Sequence, residues 1–95
     1  MLEKTITIKN SAGIHCRPSS EILNAVNDFP DCEFFIITND GEETELSSIL
    51  ALISLGLQEG DKATVKVEGD DESEEREAID IIADLFEKHF DFPHK

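Results

Sequence analysis

The sequence has no tryptophan and no tyrosine, so its near-ultraviolet absorbance is very weak and aromatic packing falls to six phenylalanines. It has two cysteines, Cys16 and Cys32, and neither lies in a C-x-x-C pair; that excludes a disulfide framework. A helix between them would hold the two about 20 Å apart, which speaks against a bridge. No apolar run approaches the ~20 residues of a membrane-spanning helix, and no secretory leader opens the chain, so a cytoplasmic protein is expected. Basic side chains are scarce, eight against 22 acids, for a net charge of −14. Nucleic acids and anionic membranes both call for a basic footprint, and neither is expected as a partner. A Gly-rich nucleotide loop is missing, which argues against a nucleotide-binding kinase. No histidine pair stands at helical ligand spacing, and His89 and His94 read as surface residues near the C-terminus; neither metal nor cofactor is expected.

What is present is enough for one domain. Apolar residues make up 39% of 95, and a chain of this length buries roughly 60–65% of its surface around one two-layer core. The acids cluster. GDDESEERE, residues 69 to 77, holds six of them and reads as a solvated loop and helix start, where carboxylates suit the helix dipole.

The apolar pattern predicts seven elements. MLEKTITIKN alternates, with Leu2, Lys4, Ile6 and Ile8 on one side, as in a half-buried strand. From Cys16 to Phe29, Ile22, Val26 and Phe29 recur at helical spacing with Leu23 and Ala25 beside them, until Pro30 ends the run. Residues 32 to 38, CEFFIIT, alternate little and predict a central strand. Asn39-Asp40-Gly41 is a hairpin turn. The acidic run 42 to 46 suits an edge strand. SSILALISLG, 47 to 56, reads as a short helix with Ser47 or Ser48 at its N-cap and Gly56 past its end. Strand four, 62 to 69, faces Ala63, Val65 and Val67 inward. Residues 71 to 90 form the longest helix, with a core stripe of Ile79, Ile82, Ala83, Phe86 and Phe90; the tail DFPHK is frayed. The order βαββαβα makes an α+β open-faced two-layer β-sandwich, a four-stranded antiparallel sheet with three helices on one face, spanning 1–95 as one domain.

GIHCRPS joins the first strand to the first helix. Gly13 lets the chain turn sharply. His15 falls at or just before the N-cap, and Pro18 falls in the first turn, where its missing N–H costs nothing. The free N–H groups of a helix end attract an anion, and Arg17 adds a permanent charge with a phosphate-matching fork of donors. A histidine there has two available roles, general acid or base, or nucleophile carrying the anion, since the neutral imidazole is abundant near its ordinary pKa of about 6.5. A capping or surface histidine fits the isolated H-x-R-P equally well.

The same residues resemble the active-site signature of the HPr family, the histidine-containing phosphocarriers of the bacterial phosphotransferase system. SSILALISLG resembles the family's short helix with its regulatory serine, and GDDESEEREAIDIIADLF resembles the opening of its last helix, so the likeness covers nearly the whole chain in the family's order. The resemblance implies that His15 accepts a phosphoryl group on Nδ1 from enzyme I, which takes it from phosphoenolpyruvate, and hands it to enzyme IIA domains. It implies that Arg17 stabilises the phosphoryl group and that Ser48 matches the serine modified by HPr kinase/phosphorylase. A two-layer domain covers only one side of the nearly all-apolar ILALISL, so Leu52 and Leu55 are expected in the core and Ile49, Leu50 and Ile53 in an exposed apolar patch; the resemblance puts docking there, between the first helix and the short one, with Ser20 and Asn24 on the facing turns. A carrier of this kind is no enzyme with turnover and needs no oligomer. The other reading is a regulatory HPr-like binding protein of a non-transport branch, acting through Ser48 and docking.

Two departures stand out. Family members often carry lysines around this surface, where this sequence has Asn24, Asn27, Ser47 and Ala51, so charge steering towards an acidic partner is weak or reversed. Cys16 occupies a site usually held by a small residue; beside Arg17 at a helix end its thiol pKa can fall, though a tolerated small side chain is the simpler reading.

Overall fold

Alternation of apolar and polar side chains becomes pleat alternation in the structure, a computed structural model that describes residues 1–9 and 16–87, with 16–18 as backbone alone. Strand β1 spans Leu2–Thr7, helix α1 Cys16–Asn27, β2 Glu33–Thr38, β3 Glu43–Glu45, α2 Ile49–Ile53, β4 Lys62–Glu68 and α3 Glu72–Glu87. The strands form one antiparallel sheet in the order β1-β4-β2-β3. This is the expected α+β open-faced sandwich, with β2 inside the sheet and the acidic β3 at its edge.

Register lines up the core. Leu2, Val67 and Phe34 form one row across β1, β4 and β2, and Val65 and Ile36 lead the next. Phe34, Ile36, Val65 and Val67 are fully shielded, together with Ile22 of α1, Leu52 of α2, and Ile82 and Phe86 of α3. Each such side chain contributes about 1.5–3 kcal/mol by leaving water. Lys4 keeps its place in the alternation of β1 but lies at the rim, where its ammonium sits 3.4 Å from Asp80 Oδ1.

The near-continuous apolar run of β2 covers only one face of the sheet. Phe35 and Ile37 project to the open side and are half-buried. Lys66, on β4 opposite Phe35, lays its ammonium 4.9 Å from the Phe35 ring centroid and 2.9 Å from Glu43 Oε2. The lysine stem thus roofs the aromatic ring while its charge stays paired. The hydrogen bond to Glu43 holds the Lys66 pKa above its usual value.

Helix ends follow local chemistry. The chain leaves α1 earlier than periodicity suggests: Asp28 and Phe29 donate to Ala25 and Val26 at 3.0 and 3.1 Å, a tightened last turn imposed by Pro30, which biases the residue before it away from the helix. Helix α2 is shorter than the run 47 to 56, because Ser48 is extended (φ −155°, ψ 158°) and caps it. Past the end, Gly56 takes φ +66°, the left-handed conformation that closes many helices. The predicted stripe of α3 is buried at Ile79, Ile82, Ala83 and Phe86; Phe90 lies outside the described residues.

The acidic run 69 to 77 departs from expectation at one position. Glu75 is 3% exposed, not solvated. Its Oε2 lies 3.0 Å from the Met1 ammonium and accepts the Gly69 N–H at 2.7 Å. The ammonium contact first, then the Gly69 hydrogen bond, hold the carboxyl below the usual range against the opposing effect of burial. Gly69 is required here for closeness: a Cβ at this position would lie 2.9 Å from Cys32 Sγ. Cys32 is a free, buried thiol, and burial first, then Glu74, Glu75, Asp31 and Asp71, push its pKa up. It is a packing residue, not a reactive one.

Two outcomes follow from this corner. Gly69→Ala destabilises by about 1–3 kcal/mol through overpacking, and in a chemical-denaturation double-mutant cycle Cys32→Ala relieves part of that loss. For Glu75, a depressed folded pKa means its stabilisation is complete above the unfolded value and disappears as pH falls through the folded one. Glu75→Gln therefore melts below the parent at neutral pH, and the gap between the two melting temperatures narrows only as pH falls below the ordinary carboxylate range and through the depressed pKa of Glu75.

Candidate functional site

The approach to the site is built at one end of the sheet. Beyond β1, the Ile8 N–H donates to the Asp61 carbonyl and the Gly60 N–H donates to the Ile8 carbonyl, both at 2.8 Å. The turn that receives it is locked on itself: Asp61 Oδ2 accepts the Gln58 N–H at 2.8 Å, and the Asp61 N–H donates to the Gln58 carbonyl at 2.9 Å. Gly60 supplies the φ of +91° that the turn needs. The strand that leads to the GIHCRPS segment is thereby fastened to the turn that follows α2 and precedes β4.

Helix α1 begins at Cys16. His15 lies outside the described residues, and for Cys16, Arg17 and Pro18 only the helical backbone is described. Arg17 and Pro18 are the second and third residues of α1, so proline occupies the first turn, where the missing N–H takes nothing from the helical ladder. The opening N–H groups of any α-helix have no carbonyl one turn earlier and carry the positive end of the dipole. The first turn of α1 holds no acidic residue to occupy that end.

Helix α2 packs against α1 and against β3. Of the two candidate caps, Ser48 is the one: its Oγ accepts the Ala51 N–H at 3.1 Å. Ser48 is exposed. The apolar residues of α2 divide as the two-layer argument requires. Leu52 is fully buried, whereas Ile49 is 38% and Leu50 79% exposed. Ile53 and Leu55 are half-buried, so Leu55 packs on the core margin rather than inside it; Leu57, not anticipated, is buried. On α1, Asn24 is exposed and Ser20 half-buried. The structure therefore brings α1, bearing Ser20 and Asn24, against α2, bearing Ile49, Leu50 and Ile53.

Ser19 escaped the sequence reading. It is fully buried, and its hydroxyl has no hydrogen-bond partner among the described residues, a condition that costs about 1–3 kcal/mol. Its neighbour Ser20 drew attention because exposure was expected there; nothing in the sequence marks Ser19 as the inward one except its i−3 spacing from Ile22. Among the described residues no group of His, Cys, Asp and Glu is arranged to hold a metal ion, and no helix is long and apolar enough to cross a membrane.

Comparison with known proteins adds three findings. Residues 2–88 match the PTS-HPr family model, "PTS HPr component phosphorylation site". The chain is 38% identical over 84 residues to the phosphocarrier protein HPr of Mycoplasma pneumoniae, covering 88% of this chain and 91% of that one, and 33% identical over 88 residues to the phosphocarrier protein NPr of Proteus mirabilis, covering 93% of each. The crystal structure of HPr-C-His from Thermoanaerobacter tengcongensis superposes with a TM-score of 0.78 at 32% identity, over 90% of this chain and 91% of that one.

The cap geometry has a measurable consequence. Ser48→Ala lowers unfolding stability by about 1 kcal/mol, whereas Ser48→Asp, which keeps an acceptor at the cap, stays within about 0.5 kcal/mol of the parent; urea titration at fixed pH reads both.

Proposed function

This chain belongs to the PTS HPr family of phosphocarrier proteins, and from that membership we propose that His15 is its phosphoryl acceptor. The neutral imidazole attacks the phosphorus of the group carried by phospho-enzyme I. A bond forms from phosphorus to Nδ1 as the bond to the donor breaks, and the reverse exchange delivers the group to an enzyme IIA domain. Arg17 and the opening N–H groups of α1 hold the phosphoryl oxygens, where charge is concentrated during transfer. The observation that carries this reading is the family match, which runs through GIHCRPS in the order of elements the family shares. The chain works as one HPr-like domain over 1–95, monomeric, in the cytoplasm and without a cofactor.

Ser48 is the second modification site in this reading, the target of an HPr kinase/phosphorylase. A phosphate there sits at the cap of α2, where the dipole favours it. It leaves the fold intact and acts on whatever docks over Ile49, Leu50 and Ile53, with Ser20 and Asn24 completing the surface.

A second use of the same family fold is a regulatory protein of a non-transport branch, working through Ser48 and docking with His15 idle. The scarcity of basic side chains on α1 and α2 favours it; the presence of both His15 and Arg17 weighs against an idle histidine.

Incubation with phosphoenolpyruvate and the cognate enzyme I separates the two. Intact mass should rise by one phosphoryl group, in an acid-labile form that His15→Ala abolishes, and Arg17→Ala should slow the transfer by about 10²-fold. An unmodified parent protein would falsify the carrier reading.

A further inference from the structure

Asp40–Gly41 is the one place in the sequence where glycine follows an aspartate or an asparagine. Such a pair is prone to backbone isomerisation, because no side chain shields the glycine nitrogen. That nitrogen attacks Cγ of the preceding aspartic acid. A C–N bond forms, the carboxyl hydroxyl leaves with the amide proton as water, and a succinimide remains. Water then opens the ring, and opening at the former main-chain carbonyl routes the backbone through Cβ as isoaspartate. Three conditions govern the closure: the carboxyl is protonated, its Cγ faces the nitrogen, and the amide proton is free to leave.

In the hairpin of β2 and β3 one residue opposes all three. The Thr38 carbonyl accepts the Gly41 N–H at 2.9 Å, so the attacking nitrogen keeps its proton, pointed across the turn. The Thr38 hydroxyl donates to Asp40 Oδ1, which also lies 3.4 Å from the Glu42 N–H that donates to it. These two bonds fix the carboxylate in place. They also hold its pKa below the usual range, Thr38 first, which keeps it ionised and a poor leaving group. Thr38 is itself anchored. It ends β2, lies opposite Ala63 of β4, and donates its N–H to the Glu42 carbonyl at 2.9 Å. Burial plays no part: Asp40 and Gly41 are exposed, and a Cβ at Gly41 would meet no atom within 4 Å. We propose that Asp40–Gly41 is a latent isoaspartate site and that Thr38 keeps it closed in the folded chain. The modification lengthens by one carbon the turn that leads into β3, the strand on which α2 packs.

The test ages the full chain at neutral pH and physiological temperature. Isoaspartate is counted by methyl transfer from S-adenosylmethionine with an isoaspartate-specific carboxyl methyltransferase, and its position is read by peptide mapping. At residue 40 it should form at least about tenfold more slowly in the folded parent than in the same chain unfolded in guanidinium chloride, because reaction awaits opening of the turn. Thr38→Val keeps the carbonyl and removes the hydroxyl, and should speed formation about threefold or more, whereas Thr38→Ser should stay within about twofold of the parent. Asp40→Glu should abolish the signal at this position, because its ring needs one more atom and closes far more slowly. Gly69→Ala weakens the fold at the far end of β2 and β4, and should leave the rate within about twofold, since the protection is local. A folded parent that isomerises as fast as the unfolded chain overturns the inference. So does a Thr38→Val variant no faster than the parent, or a Gly69→Ala variant that matches it. Circular dichroism establishes that each variant is folded before ageing, and the parent comparison needs no variant at all.

Discussion

Everything in this molecule hangs on β4. It is the last strand in the chain, yet it lies between β1 and β2 and pairs with both along nearly its full length. Until it is in place, β1 has no neighbour, and the hairpin of β2 and β3 has one open side. Its inward residues Ala63, Val65 and Val67 are nearly or wholly shielded and form the floor on which the helices rest. The same insertion positions the site. The turn before β4 takes both backbone bonds of Ile8, so the strand leading to GIHCRPS and the loop leaving α2 are tied at one end of the sheet. Helices α1 and α2 pack together, and a segment later than either holds the strand before one and the loop after the other.

The opposite end of the sheet shows how so acidic a chain closes. The Met1 ammonium, Glu75 and the Gly69 N–H converge there, beside a cysteine that leaves no room for a Cβ at Gly69. A buried carboxylate is tolerable only when such partners replace its water. On the open face, Lys66 does similar service for Phe35 and Glu43. Few bases are present, and Lys4, Lys66 and Arg76 are drawn into ion pairs. On α1 and α2 the sequence supplies a single base, Arg17.

Local pattern made much of this legible. Alternation located β1 and β4, Asn39-Asp40-Gly41 located the hairpin, and the apolar stripe located α3 with its inward residues. Wherever a partner is remote, local pattern fell silent. Glu75 looked like one more solvated acid because its ammonium partner is 74 positions away. The face that Phe35 takes had no signal, because CEFFIIT alternates little and its neighbour on the open face is a lysine of another strand. Ser47 and Ser48 were equivalent caps on paper, and only the backbone separated them. The place of β4 inside the sheet is a long-range fact with no signature in any window. For the site, the split of α2 into Leu52 inside and Leu50 outside followed from a two-layer fold. The phosphoryl-acceptor role proposed for His15 did not follow from spacing at all; it came from resemblance, and position 15 lies outside the described residues.

A phosphate at Ser48 would act through its field and through contact. A phosphoserine adds about −1.5 to −2 charges to a chain of net charge −14, which opposes the approach of an acidic partner and speeds that of a basic one. Inhibition of a basic partner would then have to come from contact rather than from the field. The cap position makes that available. The phosphate would stand one residue from Ile49 and two from Leu50, both exposed apolar side chains, and a dianion there must be desolvated before a partner can cover them. A partner with a lysine or arginine in reach of Ser48 would avoid that cost, and one without would be excluded. The same modification can thus reject one basic partner and favour another, according to a single side chain on the other surface.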